Sequence, residues 1–318
     1  MPKIYKEIAG FMSLYLIDGG SMELLAPAPK AELRGGRDQN RLGVVAVLGG
    51  KGGVGKTVVS TNLAAALASE RDRVVLIDCD LSAGQSHILL GLCPSSGLAQ
   101  VVRGEKKLRE IALSAGRGLT LVPGGPSGGS VLDLRGEDLR GLVVEAGRLA
   151  PQARAVLLDA GPGQRAALGG FVDAADIALV VCTPEPTSIR ATVAMLEVLF
   201  TERPEAKPHL LVNMATNEED ATGSYERIKD ALLPVFTTGI SLFGWLPYDL
   251  EVTRSLWRCR PVVFDTPRSR AARGLVALRE SLEGLIGGAN GASTALDGAS
   301  SDVEDLADHD DSGGTRAA

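Results

Sequence analysis

Residues 43–57 read Gly43-Val-Val-Ala-Val-Leu48 and then Gly49-Gly50-Lys51-Gly52-Gly53-Val54-Gly55-Lys56-Thr57. The first six are a continuous apolar run of strand length, the pattern of a parallel strand buried on both faces. The next block matches G-x-x-x-x-G-K-[ST] from Gly50 to Thr57. Val58 to Ser69 then spaces Leu63, Ala66 and Leu67 as on one face of a helix. A glycine-rich turn between strand and helix lets the backbone wrap an anion, and the helix N-terminus adds partial positive charge. The phosphate contacts are therefore expected from Gly50, Gly52, Gly53, Val54 and Gly55 and, at the helix start, from Lys56, Thr57 and Val58. Lys56 would neutralise the β- and γ-phosphates, and the Thr57 hydroxyl is placed to ligate Mg²⁺.

Outward from this loop, strand and helix patterns alternate. Val74–Ile77 reads as a strand ending at Asp78, and Leu119–Val122 as one entering a Gly/Pro/Ser loop at 123–130. Leu139–Leu149 is helical, and Ala155–Leu158 is a strand ending at Asp159. Ile177–Cys182 is a strand and Ile189–Phe200 a helix. Leu210–Val212 ends at Asn213, Ile240–Trp245 leads into Leu246-Pro247-Tyr248-Asp249, and Leu275–Leu285 is the last helix. This alternation predicts an α/β fold: a doubly wound, mostly parallel sheet with helices on both faces. Ligands of such sheets sit at the carboxyl ends of the strands, where Asp78, Asp159 and Asn213 all fall.

Composition fits this class. The chain is 45% hydrophobic but only 4% aromatic, as expected of a core packed with aliphatics. The net charge of −6 lies in the tail, where seven acids follow Ile286 against the single Arg316. The body is thus nearly neutral, which argues against binding nucleic acid through bulk charge. Three regions follow: an N-terminal extension and linker at 1–41, a nucleotide-binding domain at 42–286, and a disordered acidic tail at 287–318. Within the extension, Ile8–Ile17 reads as a short amphipathic helix able to dock on the domain, a partner or a membrane surface. Cys79, Cys93, Cys182 and Cys259 form no CxxC pair, which points to reduced thiols in a cytoplasmic protein.

The loop with its extra lysine, Lys51, resembles the deviant Walker A sequence of the MinD/ParA family of P-loop ATPases. Three further segments are similar to the branch of that family that regulates flagellar number (FlhG, also called FleN): Asp80–Leu92, Thr183-Pro-Glu-Pro-Thr-Ser-Ile189, and Gly244–Val263. The resemblance covers roughly 42–266. It implies ATP and Mg²⁺ as ligands, hydrolysis of ATP, and an ATP-sandwiched homodimer in which Lys51 reaches the other subunit's nucleotide, in the manner of an arginine finger. It places Asp78 near the Mg²⁺ shell, Asp80 on the attacking water, Asp159 at the Walker B position holding Mg²⁺, and Asn213 with Pro247 at the adenine. Tyr248 and Asp249 fall beside Pro247. Regulating the number or placement of flagella, with a flagellar regulator or GTPase as partner, is the function implied, with ParA-type chromosome or plasmid partition, or another MinD-like positioning role, as the alternative. Asp38-Gln39 echoes a partner motif of that branch. The acidic tail differs from the basic membrane-binding helix that ends many relatives, and an anionic bilayer would repel it.

Overall fold

The computed structural model describes residues 42–125, 134, 136–150, 153–161, 167–233, 235, 236 and 239–298, with side chains to 286. The amphipathic segment, the linker, Asp38-Gln39, most of the 123–130 loop and the acids beyond 298 lie outside the described residues.

Eight strands form one sheet: β1 (Gly43–Leu48), β2 (Arg73–Asp78), β3 (Leu113–Gly116), β4 (Leu119–Val122), β5 (Ala153–Asp159), β6 (Ile177–Cys182), β7 (His209–Ala215) and β8 (Ser241–Pro247). Their spatial order is β3-β4-β2-β5-β1-β6-β7-β8. All neighbours are parallel except β3, which pairs antiparallel with β4. The chain winds outward from β1 to one side through β2 and to the other through β6, so the order reverses beside β1. Every residue of β1 is buried, and its side chains alternate between two cores. Val44, Ala46 and Leu48 join one cluster, and Val45 and Val47 the other. That two-sided burial explains why the run shows no polar alternation.

On the first face lie α3 (Leu98–Val102), α4 (Leu108–Ile111), α5 (Gly136–Leu149), α6 (Leu168–Ala174), α7 (Pro186–Glu202) and α8 (Glu218–Leu232). On the second lie α1 (Lys56–Leu67), α10 (Val262–Asp265) and α11 (Arg270–Gly298). The short α2 (Ser86–Leu89) follows β2, and α9 (Leu250–Trp257) follows β8. The last helix exceeds the span picked out by apolar spacing at both ends, running on to Gly298.

The strand β3 and the helix α8 are absent from the sequence expectation. In α8 the buried positions are Ala221, Ser224, Ile228 and Leu232, helically spaced but half small or polar, so apolar periodicity is weak. Its start is fixed instead by Asn217, whose side chain accepts from the Asp220 N–H at 2.9 Å. The edge strand β3 is four residues long and alternates between half-buried and exposed, so it carries no apolar run. Cys79 and Cys182 are fully buried and burial pushes both thiols up, Cys182 to about 12, so both serve as small apolar groups.

Candidate functional site

The loop 49–55 leaves the carboxyl end of the central strand and turns into α1. Gly53 and Gly55 hold φ of 82° and 91°, the left-handed region that favours glycine. Gly50 is required for a second reason: a Cβ there would lie 2.3 Å from the Ala191 carbonyl oxygen of α7. The loop is thereby wedged between α7 and β7. Asn213, at the end of β7, donates from Nδ2 to the Val54 carbonyl at 2.8 Å and is buried beneath the loop. One amide N–H is thus used to brace the loop.

Lys56 is only 6% exposed. Its ammonium donates to the Lys51 carbonyl at 3.3 Å, a long bond for a buried cation. Burial lowers its pKa, and the charges of Asp159 and then Asp80 partly restore it. A buried ammonium with one long hydrogen bond is a site that an anion would complete.

Asp78 and Asp159 lie opposite each other across the β2–β5 pairing. Asp78 spends both oxygens on backbone: Oδ1 accepts from the Asp80 N–H at 3.1 Å and Oδ2 from the Ser86 N–H at 3.0 Å. Asp159 is different. Its Oδ2 takes a long bond from Ser86 Oγ at 3.5 Å, and its buried Oδ1 has no hydrogen-bond partner. Burial first, then the charge of Asp78, raises its pKa to about 7, against the pull of Thr57, Lys56 and Ser60. The orphaned oxygen next to Thr57 fits a divalent cation. Among the described residues no cluster of three or more His, Cys, Asp or Glu could hold a metal alone. A cation here would share phosphate oxygens, as Mg²⁺ does.

A raised carboxylate pKa has a definite sign. The folded state binds a proton more tightly than the unfolded one, so ionising Asp159 costs stability as pH climbs from 3.8 through about 7. Asp159→Asn is expected to raise the Tm of the nucleotide-free protein at pH 8 by a few degrees. The same change should abolish stabilisation by Mg²⁺-nucleotide. Thermal unfolding with and without Mg²⁺-ADP checks both, and a lower nucleotide-free Tm would contradict the account.

Asp80 Oδ1 accepts from the Ser82 N–H at 3.1 Å, Ser82 Oγ at 2.8 Å and the Ala83 N–H at 2.9 Å. This Asx-type turn fixes the carboxylate on the P-loop side, within electrostatic reach of Lys56. Lys51 is bonded to Glu185 and, at 3.0 Å, to Thr187 Oγ1. Both partners sit at the start of α7, in the Pro-Glu-Pro-Thr-Ser segment. Pro247 is buried at the end of β8, in register with Ala215, two residues beyond Asn213 on β7. Asp249 caps α9 through the Glu251 N–H at 2.9 Å and accepts from the Ala271 N–H at 2.9 Å, which makes it a bracket between helices. Tyr248 is 59% exposed.

The fold brings Lys51, Lys56, Thr57, Asp78, Asp80 and Asp159 around one loop, with Asn213 behind it. Sequence reasoning misses Ser86, which touches both buried aspartates. It also misses the pairing of Lys51 with Glu185 and Thr187, since no local spacing links residues 134 apart.

Residues 45–262 match the model of the CobQ/CobB/MinD/ParA nucleotide binding domain. The chain belongs to this family. The MinD/ParA proteins of this family are nucleotide-binding ATPases. The antiactivator FleN of Pseudomonas aeruginosa is 32% identical over 240 residues, covering 76% of this chain and 86% of that protein. The flagellum site-determining protein YlxH of Helicobacter pylori is 29% identical over 185 residues, 58% of this chain and 62% of that protein. Among solved structures, the MinD cell division protein of Aquifex aeolicus is similar at a TM-score of 0.60 and 26% identity, over 76% of this chain and 97% of that one. A MinD from Pyrococcus horikoshii complexed with Mg-ADP shares the fold at a TM-score of 0.62 and 21% identity, over 78% of this chain and 99% of that one. Among the described residues no helix is long and apolar enough to cross a membrane.

Proposed function

We propose that this chain hydrolyses ATP slowly as a dimer-coupled switch, and that it regulates the number or placement of flagella. The observation that carries this reading is the similarity to FleN, which spans 76% of the chain. Deleting the gene should change flagellar number or position. Unchanged flagella with disturbed chromosome or plasmid inheritance would favour the partition reading instead.

In this mechanism the Mg²⁺ of Mg²⁺-ATP supplies charge that offsets the phosphates. Thr57 and Asp159 are the residues that would hold it, with Asp78 behind them organising residues 80–86. Lys56 neutralises phosphate charge from within the loop, and the backbone of 50–58 orients it. Asp80 presents its unshared oxygen to the attacking water. Asn213 keeps one N–H and its carbonyl for the adenine edge, beside Pro247.

Lys51 completes the site from the other subunit. In the single chain it rests on Glu185 and Thr187, a pair whose side chains are 40% and 51% exposed for Lys51 and Glu185. Breaking such a pair costs only about 0–1 kcal/mol, so the lysine is available to leave when a second subunit docks. Lys51→Ala is expected to bind ATP within about twofold of wild type while its turnover drops at least ~100-fold, by analogy with arginine-finger losses. ATP binding and single-turnover hydrolysis measured side by side check this. Normal hydrolysis by the variant would remove the cross-subunit role.

A further inference from the structure

The helices after β8 carry a surface that the nucleotide site does not use. Residues 250–273 hold six arginines (Arg254, Arg258, Arg260, Arg268, Arg270 and Arg273), all exposed, against two carboxylates, Glu251 and Asp265. Trp257 stands among them at 70% exposure. The elements form one body: Arg258 Nε donates to Asp265 at 2.7 Å, and Asp249 ties α9 to the start of α11. Arg254 and Arg258 are thereby held in place by Glu251 and Asp265. Arg260, Arg268 and Arg273 have no ion-pair partner among the described residues.

The chemistry of this surface is selective. No lysine follows Lys229, so every base here is a guanidinium. Arginine pairs carboxylates in a bidentate fork, and arginine with tryptophan marks the centres of protein interfaces, where lysine is depleted. The fitting ligand is an extended acidic segment with interleaved apolar side chains. The chain contains one: Asp302-Val303-Glu304-Asp305-Leu306-Ala307-Asp308-His309-Asp310-Asp311, with six carboxylates around Val303 and Leu306.

Reach decides how the two could meet. From Gly298 back to Arg273 along α11 is about 38 Å at 1.5 Å per residue. Residues 299–311 span at most about 47 Å fully extended. Within one chain only the last acids would reach the start of α11. A second copy meets no such limit. We infer that the acidic segment 302–311 of one copy docks on the Arg/Trp surface of another, a contact independent of the nucleotide.

The test uses the full chain with its six acids at 302–311 changed to amides as receptor, and a synthetic peptide of residues 299–318 as probe. Tryptophan emission reports binding, since Trp245 is the only other tryptophan. Saturable binding is expected, weakened at least tenfold when NaCl rises from about 0.05 to 0.5 M. Arg260→Glu with Arg268→Glu should weaken it at least tenfold, and Trp257→Phe should remove the signal. ATP binding by each variant verifies folding. In sedimentation at low salt without nucleotide, the unaltered chain should associate and the amide-tailed chain should not. Equal binding of the acidic peptide and its amide counterpart would overturn the inference. So would a signal that survives Trp257→Phe, or an inert peptide with the receptor instead bound to phosphatidylglycerol vesicles.

Discussion

Lys56→Ala should bind ATP at least ~100-fold more weakly than the unaltered chain, and its nucleotide-free form should be no less stable. The two effects have one cause. The ammonium is buried with a single 3.3 Å bond to the Lys51 carbonyl, so the protein alone holds this cation at a desolvation cost. Phosphate repays that cost through charge-assisted hydrogen bonds in a water-poor loop, and truncating such a buried partner costs about 3–5 kcal/mol, roughly two to four decades in affinity. Removing the lysine deletes an under-satisfied charge, which offsets the packing given up by its buried stem beside Gly49. Titration with a fluorescent ATP analogue and thermal unfolding of nucleotide-free protein give the two readings. A variant that is destabilised and still binds ATP normally would show that Lys56 holds the fold and not the phosphates.

What could be read in advance follows the range of each interaction. The P-loop and the central strands are legible because local sequence carries them: β1 needs six apolar residues, and the turn needs glycine where φ is positive at Gly53 and Gly55. Asp78, Asp159 and Asn213 are legible as candidates because each closes an apolar run at a strand's carboxyl end. Their division of labour is not. That Asp78 is consumed by the Asp80 and Ser86 N–H groups while Asp159 keeps a bare oxygen depends on how the 80–86 turn folds back over β2. That turn leaves no periodic signal. The same holds for Lys51, whose partners lie at the start of α7, five strands later in the chain. α8 escapes notice for a different reason: its buried face includes Ala221 and Ser224, residues that hydropathy does not flag.

Asp80→Asn and Asp80→Ala together separate two jobs that one carboxylate performs. Oδ1 closes the turn by accepting from Ser82 and Ala83, and an asparagine Oδ1 can accept the same three bonds. The charge, which acts on Lys56 and would position a water at the phosphate, is lost in both variants. If Asp80 orients or activates the water, Asn alone should lower the hydrolysis rate by about 10²–10⁴-fold, the usual contribution of a positioned general base. ATP would still bind, and the nucleotide-bound form, a dimer on the reading above, would accumulate because its exit by hydrolysis is blocked. Ala should be as slow and also lose about 1 kcal/mol of stability with the turn, as other Asx-type caps do. Hydrolysis by both variants in excess Mg²⁺-ATP, with mass in solution measured beside ADP controls, distinguishes the cases. A turn-only residue would leave Asn at wild-type turnover and slow Ala alone. That pattern would move the water-handling role to another group on the P-loop side, with Asp159 as the remaining carboxylate that has an oxygen to spare.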